Sequence, residues 1–398
     1  MALLSVDEAL ARVLTGLAPL EAEQVSIADA YERVLAEDVA ATLTQPPFDA
    51  SAMDGYAVRA ADVAVLPATL DLIGEAAAGA RFSGTLGQGQ AVRIFTGAPV
   101  PDGADTIAIQ ENAEERDGRV VVKEAASGRH IRPRGQDFED GQVLLTRARS
   151  SGLGRCWASA NHAELPVTRK PTVAILATGD EVVPPGSELG PDQIVSSVGY
   201  GLAGLGAGAW GRGRQSGIAK DDRRASSRWP TRAPAPDILV TIGGASVGER
   251  DLVANALRDE GLKLDFAKVA MRPGKPVLFG RLGAQRLLGL PGNPVSALIC
   301  AQVFLVPMLH RMLGLAEAGQ PEPEAVLGAA LPANGDRQNY LRAMSVWSDD
   351  GTRVVRPLPS QDSSLVAAFT RADCLILRTP NAPALPQGAA VKIIPFSD

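Results

Sequence analysis

Three apolar runs constrain this chain more than any other feature: "TVAILATG" at 172–179, "DILVTIGG" at 237–244 and "LLGLPG" at 287–292. None alternates polar with apolar residues, so each reads as a strand buried on both faces, and each ends in a turn that contains glycine. A helical text, "DLVANALRDEG", follows the second run, and another helix starts near Pro294 after the third. Strand, loop and helix in alternation predict a doubly wound α/β domain over about 171–312, with "FAKVAM" and "PVLFG" as further strands. Ligands of such a sheet bind beyond the carboxyl ends of its strands.

A chain of 398 residues is too long for one core, and the remaining text divides accordingly. Ser5 and Glu8 stand in capping-box spacing before Leu10, Val13, Leu14 and Leu17, which share one helical face. Residues 1–46 with 135–170 are expected to form a helical and linker region, closed by Arg169-Lys170-Pro171 as a hinge. Between them, 47–134 has short apolar runs such as "AVRIF" and "TIAIQ" broken by Gly, Pro and Asp, which predicts a β-rich domain. The tail, 321–398, predicts a small β-barrel or sandwich. The balance of 39 basic against 45 acidic residues gives −6, which argues against a nucleic-acid protein held by bulk charge. Three scattered cysteines and three histidines offer no zinc ligand set and fit a reducing, cytoplasmic setting. No secretion signal and no run of ~18 to 20 apolar residues is read, so no membrane is expected.

One stretch resists this reading. From 206 to 237 the only aliphatic side chain larger than Ala is Ile218, while six arginines and two of the four tryptophans fall there. No helix or strand period survives, where an α/β domain needs a helix, a strand and a second helix. A solvated loop, a basic docking arm or a frame-shifted sequence would each account for it; "RSSGLGRCWASANHAEL" at 149–165 is a milder instance. On this reading the sheet lacks a strand.

Several turns carry chemistry, each with a plainer alternative. "GGASVGERD" runs from Gly243 and Gly244 through Ser246 and Gly248 into a helix start, where glycines admit a ligand and free N–H groups favour anions. An ordinary βα turn would look similar. Glu181, Asp221 and Asp251 bring acids to loops near strand ends, an oxygen-only set that suits Mg²⁺ bridging to phosphate. Helix capping by Asp251, worth ~0.3–1 kcal/mol, is the alternative. "KVAMRPGKP" holds Lys268, Arg272 and Lys275, and "LPGNPVSAL" holds Asn293, each on a rigid Pro-Gly turn. Arg offers a fork and Lys a point charge to an oxyanion, although surface cations on tight turns need no ligand. Together these turns describe a metal-bridged phosphate site.

The ordered motifs "SAMDGYAVRAAD", "IFTGAPVPDGAD", "IRPRGQDF", "ILATGDEVV", "GGASVGERD", "VAMRPGKP" and "GLPGNPVSAL" resemble the molybdopterin molybdenumtransferase family, which is similar to the E domain of gephyrin. The resemblance is strong over 46–310 and looser at both ends. It implies an elongated homodimer of four-domain chains that inserts molybdenum from molybdate into adenylylated molybdopterin, releasing AMP with Mg²⁺ as cofactor. By matching motifs, Glu181, Asp221 and Asp251 would carry metal and adenylate functions, and Lys268, Arg272 and Lys275 would hold phosphate or molybdate. Asp54, Thr96 and Asp137 would enter from the β side, across the dimer, and Arg342 with Ser363 would form an oxyanion pair. Partners would include a molybdopterin adenylyltransferase and cofactor-accepting enzymes. The chain departs from the family at Val198, where an Asn is usual, and at Ile242, where a Ser is common. A non-catalytic scaffold or a molybdopterin adenylyltransferase are the rival readings.

Overall fold

The computed structural model describes residues 3–148, 160–207, 211–219, 235–243, 261–315 and 322–396. At its centre is a six-stranded sheet in the order Arg212–Ala219, Thr172–Thr178, Ile238–Ile242, Gln285–Leu290, Leu278–Leu282, Lys263–Phe266. The first four strands run parallel, and both pairings of Leu278–Leu282 are antiparallel. The sheet is therefore mixed, with an antiparallel edge on a parallel centre. Val173, Ile175, Ile238, Val240, Ile242, Leu288 and Leu290 face one way into a single large core. Their neighbours Ala174, Leu239 and Leu287 face the other way, where Leu262 and Leu278 cover them. Burial on both faces explains why these runs lack alternation.

The expected gap in this sheet is not there. Helix Val198–Ala207 and strand Arg212–Ala219 occupy part of it, and the strand pairs with Thr172–Thr178 from Arg212↔Thr172 to Ala219↔Thr178, with a bulge near Ala177. The composition misleads because this is an edge strand: Arg212 and Arg214 are exposed, so the ladder's backbone bonds hold it without an apolar repeat. Charged side chains also suit an edge that must not pair with other chains. Val198 is buried at the start of its helix, and Ile242 is buried in the same core. "FAKVAM" is likewise not one strand, since Lys263–Phe266 and Met271–Arg272 belong to different sheets.

Helix Val6–Leu14 is capped by Ser5, whose Oγ accepts from Glu8 N at 3.2 Å. The Glu8 carboxylate turns to Arg12 instead of closing the capping box. Val6, Ala9 and Val13 enter the large core, so this helix packs on the α/β domain. Arg281 and Arg286 donate to the carbonyls of Thr15 and Gly16, both at 3.0 Å, just beyond the helix's carboxyl end. The rest of the described 15–46 and 135–170 region contains strand pairs and turns, with no further helix: Ala22–Ser26 pairs with Glu164–Thr168, and Val39–Ala40 with Val143–Leu145. Where a helical segment is expected between "RGQDFEDG" and Arg169, the described residues form strands Val143–Leu145 and Glu164–Thr168, and 149–159 lie outside the described residues.

The β-rich domain is a second six-stranded sheet in the order Thr106–Ile109, Gly55–Val58, Gln90–Ile94, Ala68–Ala76, Arg119–Val122, Ala113–Arg116. It has a core on each face. In the tail, Gln338–Trp347 pairs with both Arg353–Pro357 and Cys374–Arg378, which closes five strands into a barrel. Met271–Arg272 adds to this barrel by pairing in parallel with Gln338–Asn339. Tyr340, Leu375 and Ile394 of the barrel sit in the α/β core, so the two domains share one interior. Pro294–Leu313 forms a continuous 20-residue helical stretch, contrary to the expectation that no run approaches membrane-spanning length. It is 83% buried inside the fold and serves as the core's central helix.

Arg169 holds the linker to the sheet and does not leave it free as a hinge. Its guanidinium donates to both carboxylate oxygens of Asp237 at 2.9 and 3.0 Å and also pairs with Glu21. Asp237 accepts from Thr172 N and Oγ1 as well, both at 2.7 Å. Burial works to raise the Asp237 pKa, but Arg169 and Thr172 together hold it below the usual carboxylate value. A depressed carboxylate stabilises the fold above its unfolded pKa of ~3.9, and that contribution disappears as pH falls through the folded value. Asp237→Asn should therefore cost about 2–3 kcal/mol at neutral pH and much less in acid, as measured by urea melts across pH.

Candidate functional site

Arg342 lies on the first barrel-closing strand and is only 3% exposed. Gln361 clamps its backbone: Oε1 accepts from Arg342 N and Nε2 donates to Arg342 O, both at 3.0 Å. The side chain is less well served, because Nη2 is buried with no hydrogen-bond partner among the described residues. Burial pushes its pKa down and repulsion from Arg272 adds to this, while Asp362 opposes it. A buried, half-satisfied guanidinium beside a second cation is costly unless an anion completes it. Two neutral donors are joined to the same segment: Asn293 Nδ2 donates to Ser363 Oγ at 3.1 Å, and Val295 N donates to Ser363 O at 3.1 Å. Arg272 and Arg342 thus lie within electrostatic reach of each other, and Asn293 bonds Ser363, two residues beyond the Gln361 that clamps Arg342.

The turn bearing the other cations is fixed by packing. Val269 N donates to Lys275 O at 3.0 Å, closing the loop that presents Lys268, Arg272 and Lys275, all exposed. Gly274 has φ +103°, and a Cβ there would lie 2.2 Å from Cys300 Sγ, so only glycine lets this loop seat on the core helix. At the carboxyl ends of the parallel strands, Thr178 Oγ1 donates to Ile242 O at 3.1 Å and Gly243 N donates to Leu290 O at 3.0 Å. Gly243 has φ +86° and passes so close to Thr178 that a Cβ would sit 2.9 Å from its Oγ1. Glu181 follows in the adjoining turn with an exposed carboxylate over Gly179. Gly244, Ser246, Gly248, Asp221 and Asp251 lie outside the described residues. Among the described residues no three His, Cys, Asp or Glu side chains converge as a metal site. Glu181 alone offers one carboxylate, which fits a Mg²⁺ ion that keeps several waters and leans on substrate phosphate.

The β domain forms a separate group. Asp54 Oδ1 accepts from Thr96 N at 2.7 Å and from Thr96 Oγ1 at 2.8 Å. The backbone bond, then the hydroxyl, hold the Asp54 pKa below the usual carboxylate value. Asp137 is exposed on a cleft of about 550 Å³ lined also by Phe48, Gly97, Arg132 and Gln136. Among the described residues no hydrogen bond, ion pair or strand pairing joins 47–134 to 171–396. Gln361 and Asp362 escaped the reading of the sequence; a polar residue in a Ser-rich loop gives no local sign that it will clamp an arginine 19 positions away.

A mixed α/β sheet that shares its core with a closed barrel, beside a separate β domain, defines a multidomain α/β and β protein. The sequence matches the MoeA N-terminal region (domain I and II) over 4–152, a probable molybdopterin binding domain over 174–311, and the MoeA C-terminal region (domain IV) over 324–396. It is 31% identical over 402 residues to the molybdopterin molybdenumtransferase of Haemophilus influenzae, covering 99% of each chain. The Nostoc molybdopterin molybdenumtransferase is 36% identical over 334 residues, 81% of this chain and 76% of that one. The solved molybdopterin biosynthesis MoeA protein of Pyrococcus horikoshii superposes with a TM-score of 0.86 at 29% identity, covering 100% of both. The chain belongs to the molybdopterin molybdenumtransferase family.

If the Arg342 guanidinium is kept for an anion, Arg342→Met should melt no lower than the parent, and up to ~1 kcal/mol higher, since it removes a buried charge whose Nη2 has no hydrogen-bond partner among the described residues. Millimolar molybdate should raise the melting temperature of the parent and leave that of the variant unmoved. Marked destabilisation with an undiminished molybdate response would show that Arg342 is structural.

Proposed function

We propose that this chain inserts molybdenum from molybdate into adenylylated molybdopterin and releases AMP, working in the crevice between the α/β sheet and the barrel. Membership of the molybdopterin molybdenumtransferase family supports the transfer of molybdenum to molybdopterin. The observation that carries the site is the buried, partnerless Nη2 of Arg342 within electrostatic reach of Arg272, with the Asn293–Ser363 pair on the segment that clamps the Arg342 backbone. A tetrahedral dianion would complete that set, taking a charged hydrogen bond from Arg342 and a neutral one from Asn293 or Ser363.

Lys268, Arg272 and Lys275 share one loop and would hold the phosphates, fixing the phosphoanhydride next to the bound molybdate. Preorganised cations stabilise charge that develops on the leaving AMP without moving, which is the largest effect such a site can supply. Glu181, together with Asp221 and Asp251, would hold Mg²⁺, which when bound neutralises charge on the phosphoanhydride. Asp54, Thr96 and Asp137 would complete the cleft from a second copy of the chain. Buried free thiols at Cys300 and Cys374 suit a cytoplasmic enzyme, which would receive its substrate from a molybdopterin adenylyltransferase and pass its product to cofactor-accepting enzymes.

AMP release from adenylylated molybdopterin should require both molybdate and Mg²⁺, and Glu181→Gln should lower turnover ~10²-fold with unchanged circular dichroism. AMP release that ignores molybdate would mean a hydrolase. Tight pterin binding without release would mean a scaffold.

A further inference from the structure

We infer that Arg93 is a positioning residue for the Asp54–Thr96 pair, pinning the two backbone segments that carry it; the inference rests on the function proposed above. Arg93 lies near the end of strand Gln90–Ile94, two residues before Phe95 and three before Thr96. Its guanidinium stands 4.8 Å from the Tyr56 ring centroid and 5.0 Å from that of Phe95. These two rings immediately flank the pair, Tyr56 two residues after Asp54 and Phe95 one before Thr96. A cation over two aromatic faces gains from both quadrupoles, more so when partly withdrawn from water.

The same guanidinium is anchored by hydrogen bonds on the Asp54 side. Arg93 Nη1 donates to Gly55 O at 3.2 Å, and Nη2 donates to Gln110 Oε1 at 2.8 Å. Gln110 N in turn donates to Asp54 O at 3.0 Å, so the peptide groups on both sides of the Asp54–Gly55 step are tied to Arg93, one directly and one through Gln110. Tyr56 is held from its far end, where its hydroxyl donates to Glu115 at 3.0 Å. Asp54 Oδ1 is consumed by Thr96, which leaves Oδ2 as the atom available to substrate. Its direction then depends on the Asp54 backbone, and that backbone is what Arg93 fixes. Lys could keep the charge over the rings but has no planar fork to bond Gly55 and Gln110 at once.

Arg93 acts on Asp54 electrostatically too. After the two bonds from Thr96, and with burial acting in opposition, the Arg93 charge is a further cause that lowers the Asp54 pKa. The other charged groups around this network are Glu115, on the Tyr56 hydroxyl, and Glu111, which accepts from Gln110 Nε2 at 3.4 Å. Neither acts on the Asp54 pKa, so Arg93 is the charged group that does.

The test is a mutant cycle on molybdate-dependent AMP release. Arg93→Met, which keeps bulk but loses charge and fork, should lower kcat at least ~10-fold with little change in KM. The acid limb of its pH profile should move to higher pH, because Asp54 loses a charge that depressed its pKa. Arg93→Lys should restore the acid limb but only part of kcat. In an Asp54→Asn background, Arg93→Met should cost nothing further. The inference is overturned if Arg93→Met retains kcat, or if its loss is as large in the Asp54→Asn background as alone. Should Asp54→Asn itself leave AMP release intact, the proposed role of Asp54 fails instead. For a variant too unstable to assay, the backbone amide shifts of Gly55 and Gln110 in the folded Arg93→Lys protein give the answer: changed positions support the pinning, and unchanged ones remove it.

Discussion

The short parallel pairing of Met271–Arg272 with Gln338–Asn339 is the contact on which the candidate site depends. It carries an arginine out of the α/β domain and lays it along the barrel strand that also bears Arg342. Gln338 N extends the ladder by donating to Ala270 O at 3.0 Å, and Tyr340 on the same strand is buried in the α/β core. Two cations are thereby held near one another by backbone bonds and packing. Their repulsion is a local cost that the surrounding structure sustains, a pattern expected where a site is built for a ligand and not for stability.

The neighbouring elements reinforce this placement. Gln361 fixes the Arg342 backbone, and the residues after it reach the core helix, where Ser363 meets Asn293 and Val295. Gly274 lets the cation loop lie against Cys300 on that same helix. Loop, helix and barrel strand each contribute one side of the site, and none could shift alone without breaking a bond to the others. At the opposite end of the sheet, Asp237 and Arg169 tie the strand starts to the linker that ends at Pro171.

The parallel centre of the sheet was legible because a strand buried on both faces must be apolar throughout, and "TVAILAT" and "ILVTI" have no other easy meaning. The cap at Ser5 was legible for a local reason as well. What escaped was everything decided at long range. Arg212–Ala219 reads as no element at all, yet an edge strand needs only a partner's backbone, and Thr172–Thr178 provides it. The strand pairs Ala22–Ser26 with Glu164–Thr168 join segments about 140 residues apart, a separation that leaves no period to detect. In the site, the Pro-Gly turns marked Arg272 and Asn293 as parts of one constellation, and the family resemblance marked Arg342 and Ser363 as a pair. The clamp by Gln361 and the stacking of Arg93 between Tyr56 and Phe95 are consequences of tertiary structure, and no spacing announces them.

We propose that the barrel and the α/β domain together hold a tetrahedral oxyanion between Arg272, Asn293, Arg342 and Ser363. Diffraction at the molybdenum absorption edge from crystals soaked in molybdate measures this without reference to turnover. The account predicts an anomalous peak within hydrogen-bond distance of Arg342 Nη2 that disappears in Arg342→Met crystals. Strong peaks confined to other parts of the surface, with none beside Arg342, would contradict it.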